Sequence, residues 1–301
     1  MTTASKRSLH PEVIKRIGRL EIRARHIVEG LLSGMHRSPY FGQSVEFLQH
    51  REYAPGDDLR YVDWKVFGRT DKVYLKQYED ETNLLCYLVL DVSESMTYKS
   101  AGAALTKLEY AQCLAASLAW LILRQQDAAG LATFDDQIRA MIRPAGNPSH
   151  LDQLLHAMEA ATPGKKTAAG PIFHELAQRL TKRGIVIVLS DFFDDVASLA
   201  AGLKHFRHRR HDLVLLQVLD PAEVDFPFRW PTEFQGLEEF PGVAADPQVI
   251  RRAYLRELAA FRQSLEQVCR SERIDYFLVR TDQPLDAVLT SVLATRQRSV
   301  R

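Results

Sequence analysis

The sequence is poor in cysteine, in long apolar runs and in excess charge of either sign, and each shortage removes a class of function. Three cysteines stand among 301 residues, at positions 86, 113 and 269, with no Cys-x-x-Cys pair. So few, so far apart, they make neither a disulfide framework nor a thiolate zinc site. Reduced, buried thiols in a cytoplasmic protein are the expectation. The most apolar stretch of the chain's middle, Leu114 to Leu123, is bounded by Gln112 and by Arg124-Gln125-Gln126. It is too short to span a bilayer and is expected to be a core helix, so no integral membrane segment is expected. The first residues, MTTASKRSLHPEVIKRIGRLEIRARH, lack the continuous apolar core of a signal peptide. With 39 basic and 38 acidic side chains the formal charge is +1. Neither nucleic acid nor an anionic membrane would be attracted at long range, and nucleic acid is not expected as a partner. There is no internal repeat and no low-complexity tract. What is present is ordinary globular material, 46% hydrophobic and 26% charged, enough for a sizeable core.

Residues 10–34 place Val13, Ile14, Ile17, Leu20, Ile27 and Leu31 at helical spacing on a ribbon rich in Arg and Lys, closing at Gly34. A basic amphipathic face of this kind can lie on a membrane surface or pack on the protein's own body. Residues 36–83 change character. Short β-like patterns at 44–53, 62–67 and 73–78 are broken by Pro55-Gly56-Asp57-Asp58 and Thr70-Asp71-Lys72. The chain thus divides into residues 1–83, a helix plus a small β-rich module, and residues 84–301, an α/β domain. The second part opens with Leu84 to Leu90, an uninterrupted apolar run suited to a central strand covered on both faces. Helices are predicted at 107–126, 149–160 (capped by Ser149), 170–182, 197–208, 248–271 and 284–296. Strands are predicted at 128–134, 137–143, 185–189, 212–219 and 274–279. The segment 220–246, rich in Pro, Phe and Glu, reads as an irregular insertion. The alternation implies a mostly parallel sheet with helices on both faces, and the close pair 128–143 implies one antiparallel edge.

Ligands of open parallel sheets sit beyond the carboxyl ends of the strands. Two acidic residues stand at such ends, Asp91 after LLCYLVL and Asp191 after IVIVLS. Asp91 opens the loop Asp91-Val92-Ser93-Glu94-Ser95-Met96, whose alternate residues can aim one carboxylate and two hydroxyls at one point. Hard oxygen ligands suit magnesium, manganese or calcium rather than zinc or copper. The alternative is local: Ser93 and Ser95 cap the next helix while Asp91 accepts their hydrogen bonds. Glu94 reads as an exposed rim residue, and Asp194 and Asp195 as solvent-facing.

The stretch DVSESM resembles the Asp-x-Ser-x-Ser metal-ion-dependent adhesion site of von Willebrand factor A domains. The resemblance implies that domain's Rossmann-like α/β fold and a site completed by a loop threonine and a later strand-end aspartate. The matching positions are Thr167, with Thr162 nearby, and Asp191. Upstream, VEFLQHREYAPGDDLRYVDWKVFGRTDKVYLKQYEDE is similar to the region before this motif in domain-of-unknown-function family 58, a bacterial family often linked to MoxR-type AAA+ ATPases. The resemblance thus implies a metal-dependent protein-interaction module, an adaptor or assembly factor and not an enzyme. Its partner would supply a Glu or Asp to the ion. The alternative from a different class is a magnesium-dependent phosphohydrolase. Against it, position 93 is Ser where a second acid is wanted, no general base is evident, and Gly164-Lys165-Lys166-Thr167 lacks the upstream glycine of a P-loop.

Three other clusters have bland and functional readings. Arg51, Glu52, Asp57, Asp58, Arg60, Asp63, Trp64 and Arg69 form either a salt-bridge network or a docking face. The run Lys204 to His211 suits a helix C-terminus, where cations meet the dipole. Phe226, Phe228, Trp230, Phe234 and Phe240 either fold the insertion onto the body or form a binding lip.

Overall fold

Leu85–Asp91 forms the first strand of the main sheet because its apolar side chains find cover on both faces, every residue from Cys86 to Asp91 being buried. The computed structural model describes residues 11–15, 18–35, 49–52, 68, 74–77, 84–147, 149–164, 169–230, 232–234 and 243–299. By their contacts they form two units, Met1–Ser33 with Leu84–Arg301, and Gly34–Asn83.

The smaller unit contributes one described antiparallel pair, β1 (Gln49–Glu52) with β2 (Tyr74–Gln77). Of the charged cluster, Arg51 and Glu52 lie in β1, while Asp57, Asp58, Arg60, Asp63, Trp64 and Arg69 lie outside the described residues.

The larger unit begins with α1 (Pro11–Ile14) and α2 (Leu20–Met35). Leu20, Ala24, Ile27, Val28 and Leu31 are buried on one face of α2, and the Leu20 amide donates to Glu159 Oε1 at 2.9 Å. The N-terminal helix therefore packs on the protein's own body, and groups with the large unit rather than with the β-rich segment.

The main sheet then runs β3 (Leu85–Asp91), α3 (Lys107–Arg124), β4 (Ala128–Phe134), β5 (Ile138–Ala145), α4 (His150–Glu159), α5 (Ala169–Arg179), β6 (Ile185–Ser190), α6 (Val196–His208), β7 (Asp212–Leu219). After β7 come α7 (Pro221–Asp225), a short antiparallel pair β8 (Thr232–Phe234) and β9 (Val243–Ala245), then α8 (Pro247–Ser271), β10 (Asp275–Arg280) and α9 (Leu285–Ser299). Across the sheet the order is β10-β7-β6-β3-β4-β5. Every pairing is parallel except β4 with β5, the antiparallel edge. This is the expected α/β architecture, a mixed sheet of six mostly parallel strands between helices. Within 220–246 the described residues include α7, β8 and β9. Asp220 and Glu223 form a capping box around Pro221, which starts α7.

Helices cover both faces. α3 is nearly all buried, from Leu108 through Leu118, and packs on α4 and α9. Thr106 caps it with a reciprocal Glu109 box. On the other face Phe173, Leu176, Leu199, Leu203 and Phe206 of α5 and α6 join Tyr87, Val89, Val186 and Val188 of the sheet in one core. Each fully buried Leu, Val or Phe there contributes about 1.5–3 kcal/mol of transfer free energy. Ser149 does not cap α4. Its hydroxyl turns to Asn147 Oδ1 at 3.1 Å.

Candidate metal centre

Strand order reverses between β3 and β6, because β4 lies beyond one and β7 beyond the other. At such a switch point the connections leave in opposite directions and a crevice opens at the carboxyl ends. Asp91 ends β3 and Asp191 follows β6; the register Leu90↔Leu189 sets Asp91 level with Ser190, one residue before Asp191, close enough for the two acids to interact. The cause is topological: two neighbouring parallel strands each carry an acid at the same end.

The loop after β3 is built around Asp91, which is 0% exposed. Its Oδ1 accepts the Ser93 amide at 2.9 Å and its Oδ2 accepts the Ser190 hydroxyl at 2.5 Å. The chain then makes one 3₁₀ turn, Glu94–Thr97. Ser93 precedes it in extended conformation, yet its side chain makes no capping bond. Its Oγ stands 3.1 Å from Ser95 Oγ instead. The two hydroxyls therefore converge, which capping alone does not require. Glu94 is exposed.

Burial, and secondarily the charge of Asp191, push the Asp91 carboxyl up to about 7, against the hydrogen bonds from Ser190 and Ser93. Asp191 is 2% exposed. Its Oδ1 accepts the Phe193 amide at 3.2 Å, and its backbone carbonyl accepts Gln217 Nε2 at 2.9 Å. Its Oδ2 meets Lys107 Nζ at 2.8 Å, and the same ammonium meets Glu223 Oε1 at 2.7 Å. Burial opposes the charge on Lys107, but Asp191 and Glu223 outweigh it and raise the lysine above its ordinary range. Burial also raises Glu223, with Lys107 opposing. Two carboxylates, Asp191 and Glu223, thus hold one buried ammonium, and the buried Asp91 feels the charge of Asp191. The donor set has the hard-oxygen chemistry of a divalent-ion site: a carboxylate and two adjacent hydroxyls. Among the described residues no group of three or more His, Cys, Asp or Glu side chains is placed to hold a metal, so an ion at this loop would depend on the serine hydroxyls as well as on carboxylates.

Thr167 lies outside the described residues. The loop leading to it is anchored: Gly164 pairs with Ser93 in an isolated parallel bridge, and its amide donates to Val92 O at 2.9 Å. A Cβ at Gly164 would fall 1.5 Å from Asp135 Oδ2, so only glycine allows this approach. Asp135 is a third acid at a strand end, but Arg139 Nε holds both its oxygens at 2.7 Å. Asp194 and Asp195 are engaged elsewhere. Asp194 Oδ2 accepts the Ala169 amide at the start of α5, and Asp195 caps α6 through the Ser198 amide. The basic run at 204–211 closes α6, with Arg207 Nη1 donating to the His211 carbonyl at 2.8 Å.

Lys107, Ser190 and Glu223 are the members that motif reasoning does not find. Their signals are faint: a lysine in the first turn of an otherwise apolar helix, a serine beside a strand-end aspartate, and the acid of a capping box.

A family model described as protein of unknown function DUF58 matches residues 49–264, more than half of the chain. Uncharacterized proteins of Mycobacterium bovis and Mycobacterium tuberculosis are 24% identical over 300 residues, spanning 96% of this chain and 91% of theirs. Among solved structures, a conserved hypothetical protein BatB from Bacteroides thetaiotaomicron is 14% identical with a TM-score of 0.48. It covers 71% of this chain and 99% of its own. The SpRpn10 VWA domain is 12% identical with a TM-score of 0.41, covering 70% of this chain and 95% of its own.

Proposed function

The chain belongs to the DUF58 family of proteins of unknown function, and from that premise we propose that it is a metal-dependent protein-interaction module rather than an enzyme. Asp91, Ser93 and Ser95 hold a magnesium or manganese ion (calcium being the third candidate), with Asp191 and the loop residue Thr167 completing the protein's share. One observation carries the reading. The hydroxyls of Ser93 and Ser95 converge next to the buried acid Asp91, while the buried ammonium of Lys107 is divided between Asp191 and Glu223, an oxygen-rich set of the kind that suits a hard divalent ion. When bound, the ion offers a Lewis-acid position to an outside oxygen.

The chain's own residues orient that position. Ser190 and the Ser93 amide fix the Asp91 carboxylate. The Phe193 amide and Lys107 fix Asp191. A set rich in neutral hydroxyls leaves charge on the ion unspent, which favours a Glu or Asp side chain of a partner protein. The family resemblance supports a MoxR-type AAA+ ATPase as the machine served, with this chain as adaptor or assembly factor.

The rival phosphohydrolase reading has less support. Asp91 is fully buried with both oxygens engaged, a poor posture for an attacking nucleophile, and position 93 offers a serine where a second acid would act. No helix among the described residues is long and apolar enough to cross a membrane.

The test is a pull-down from host extract with wild type and the Ser93→Ala/Ser95→Ala variant, in magnesium and in chelator. Partners are expected only with wild type in magnesium. The same partners recovered equally in all four samples would contradict the metal-bridged mechanism.

A further inference from the structure

Lys107 is the least expected residue of the centre. It occupies the first turn of α3, the helix that follows the metal loop, and its side chain is 1% exposed. A lysine so deeply buried persists only when its charge is matched. Here Asp191 Oδ2 and Glu223 Oε1 lie at 2.8 and 2.7 Å. The Phe193 ring, its centroid 5.2 Å from Nζ, lies against the ammonium. Phe193 is itself 40% exposed and follows Phe192, whose left-handed backbone (φ 57°) turns the chain at this point.

Glu223 carries the connection further. Its second oxygen accepts the Asp220 amide at 2.7 Å, while Asp220 Oδ1 accepts the Ala222 amide and Oδ2 the Ser100 amide. One ammonium thus links a strand-end metal ligand to α7 and to the loop between the metal turn and α3.

We propose that Lys107 is a positioning residue of the metal centre, a resident cation that holds Asp191 and Glu223 when no divalent ion is present and weakens the binding of the ion by its charge. The inference rests on the metal reading above. A single positive charge is too little for Asp191 and Glu223 together, yet it lowers the negative charge at Asp191 that draws an ion. The site is therefore ordered before loading and releases its ion readily, as a reversible contact between proteins requires.

Two substitutions in the full chain separate this role from packing. Lys107→Met removes the charge and keeps much of the volume, whereas Glu223→Gln removes a negative charge and keeps the shape. Mn²⁺ affinity is read by titration calorimetry and stability by melting in chelator. Lys107→Met is expected to bind Mn²⁺ at least about tenfold tighter than wild type, since charges this close in a partly dry site interact strongly. In chelator its Tm should drop on the order of 6–10 °C, because breaking a buried pair strands its partners. Glu223→Gln is expected to bind Mn²⁺ several-fold weaker. Opposite signs are the signature of charge, which a packing role would not produce. Equal or weaker Mn²⁺ binding by Lys107→Met overturns the role of Lys107 while leaving the ion site standing. Absence of binding by wild type and both variants overturns the ion reading and this inference together. If Lys107→Met fails to fold in both buffers, unchanged or tighter binding by Glu223→Gln is the overturning result.

Discussion

His211 precedes β7 with 1% of its surface exposed, its Nδ1 lacking a hydrogen-bond partner. Its ring meets Tyr87 and Phe206 edge-on. Burial holds the imidazole below its ordinary 6.5, against carbonyl contacts from Gly184 and Leu180. In the interval between the two values the unfolded chain binds a proton that the folded protein refuses. The histidine's contribution is therefore whole above about pH 6.5 and is lost as pH falls through the folded value. A His211→Gln variant should lose less stability than wild type between about pH 7.5 and pH 5.5 in urea unfolding. Identical pH slopes would show that another group governs the acid limb. At this scale the placement of the proposed ligands was legible, since Asp91 ends β3, Ser93 and Ser95 follow in its loop, and Asp191 follows β6. Lys107 and Glu223 were not. Their pairing joins residues far apart in sequence, and no spacing rule connects the first turn of one helix to a capping box beyond four further strands. The depth of Asp91 also escapes the sequence, because a strand-end acid reads as a surface ligand until its neighbours are known.

At the scale of elements, α5 and α6 pack closely because glycines stand where they cross. A Cβ at Gly202 would meet the Gly170 carbonyl at 2.6 Å and Phe173 Cβ at 2.8 Å. Backbone cannot yield as a flexible side chain can, so Gly202→Val should cost about 1–3 kcal/mol by overpacking. Ala201→Leu, one residue along on an exposed position, should fall within about 0.5 kcal/mol of wild type. Equal denaturant midpoints for the two variants would mean the helices separate without penalty. Strands β3 and β6 were legible because their unbroken apolar runs can only be buried on both sides. The β4–β5 edge was legible from the short connection at Asp135 and Asp136. The pair β8–β9 was not, since Thr232–Phe234 and Val243–Ala245 are too brief to display alternation. The Ser149 cap was read from residue type alone, and type does not decide which neighbour a hydroxyl chooses.

For the whole molecule, the order β10-β7-β6-β3-β4-β5 places the candidate centre at the reversal between β3 and β6, and the family assignment supplies no activity with it. The fold class followed from the alternation of strands and helices. The boundary at the N-terminus did not, because an amphipathic helix declares that it needs a partner without saying which. The central claim is that Asp91, Ser93 and Ser95 hold a divalent ion in the folded protein. A ligand bound to the native state alone stabilises it by about 2.7 kcal/mol at one hundred times its dissociation constant. The decisive measurement is thermal melting in chelator and in millimolar Mg²⁺ or Mn²⁺, for wild type and for Ser93→Ala/Ser95→Ala. Wild type should melt roughly 5 °C higher with metal, and the variant should show no shift. Superimposed wild-type curves with and without metal would contradict the account.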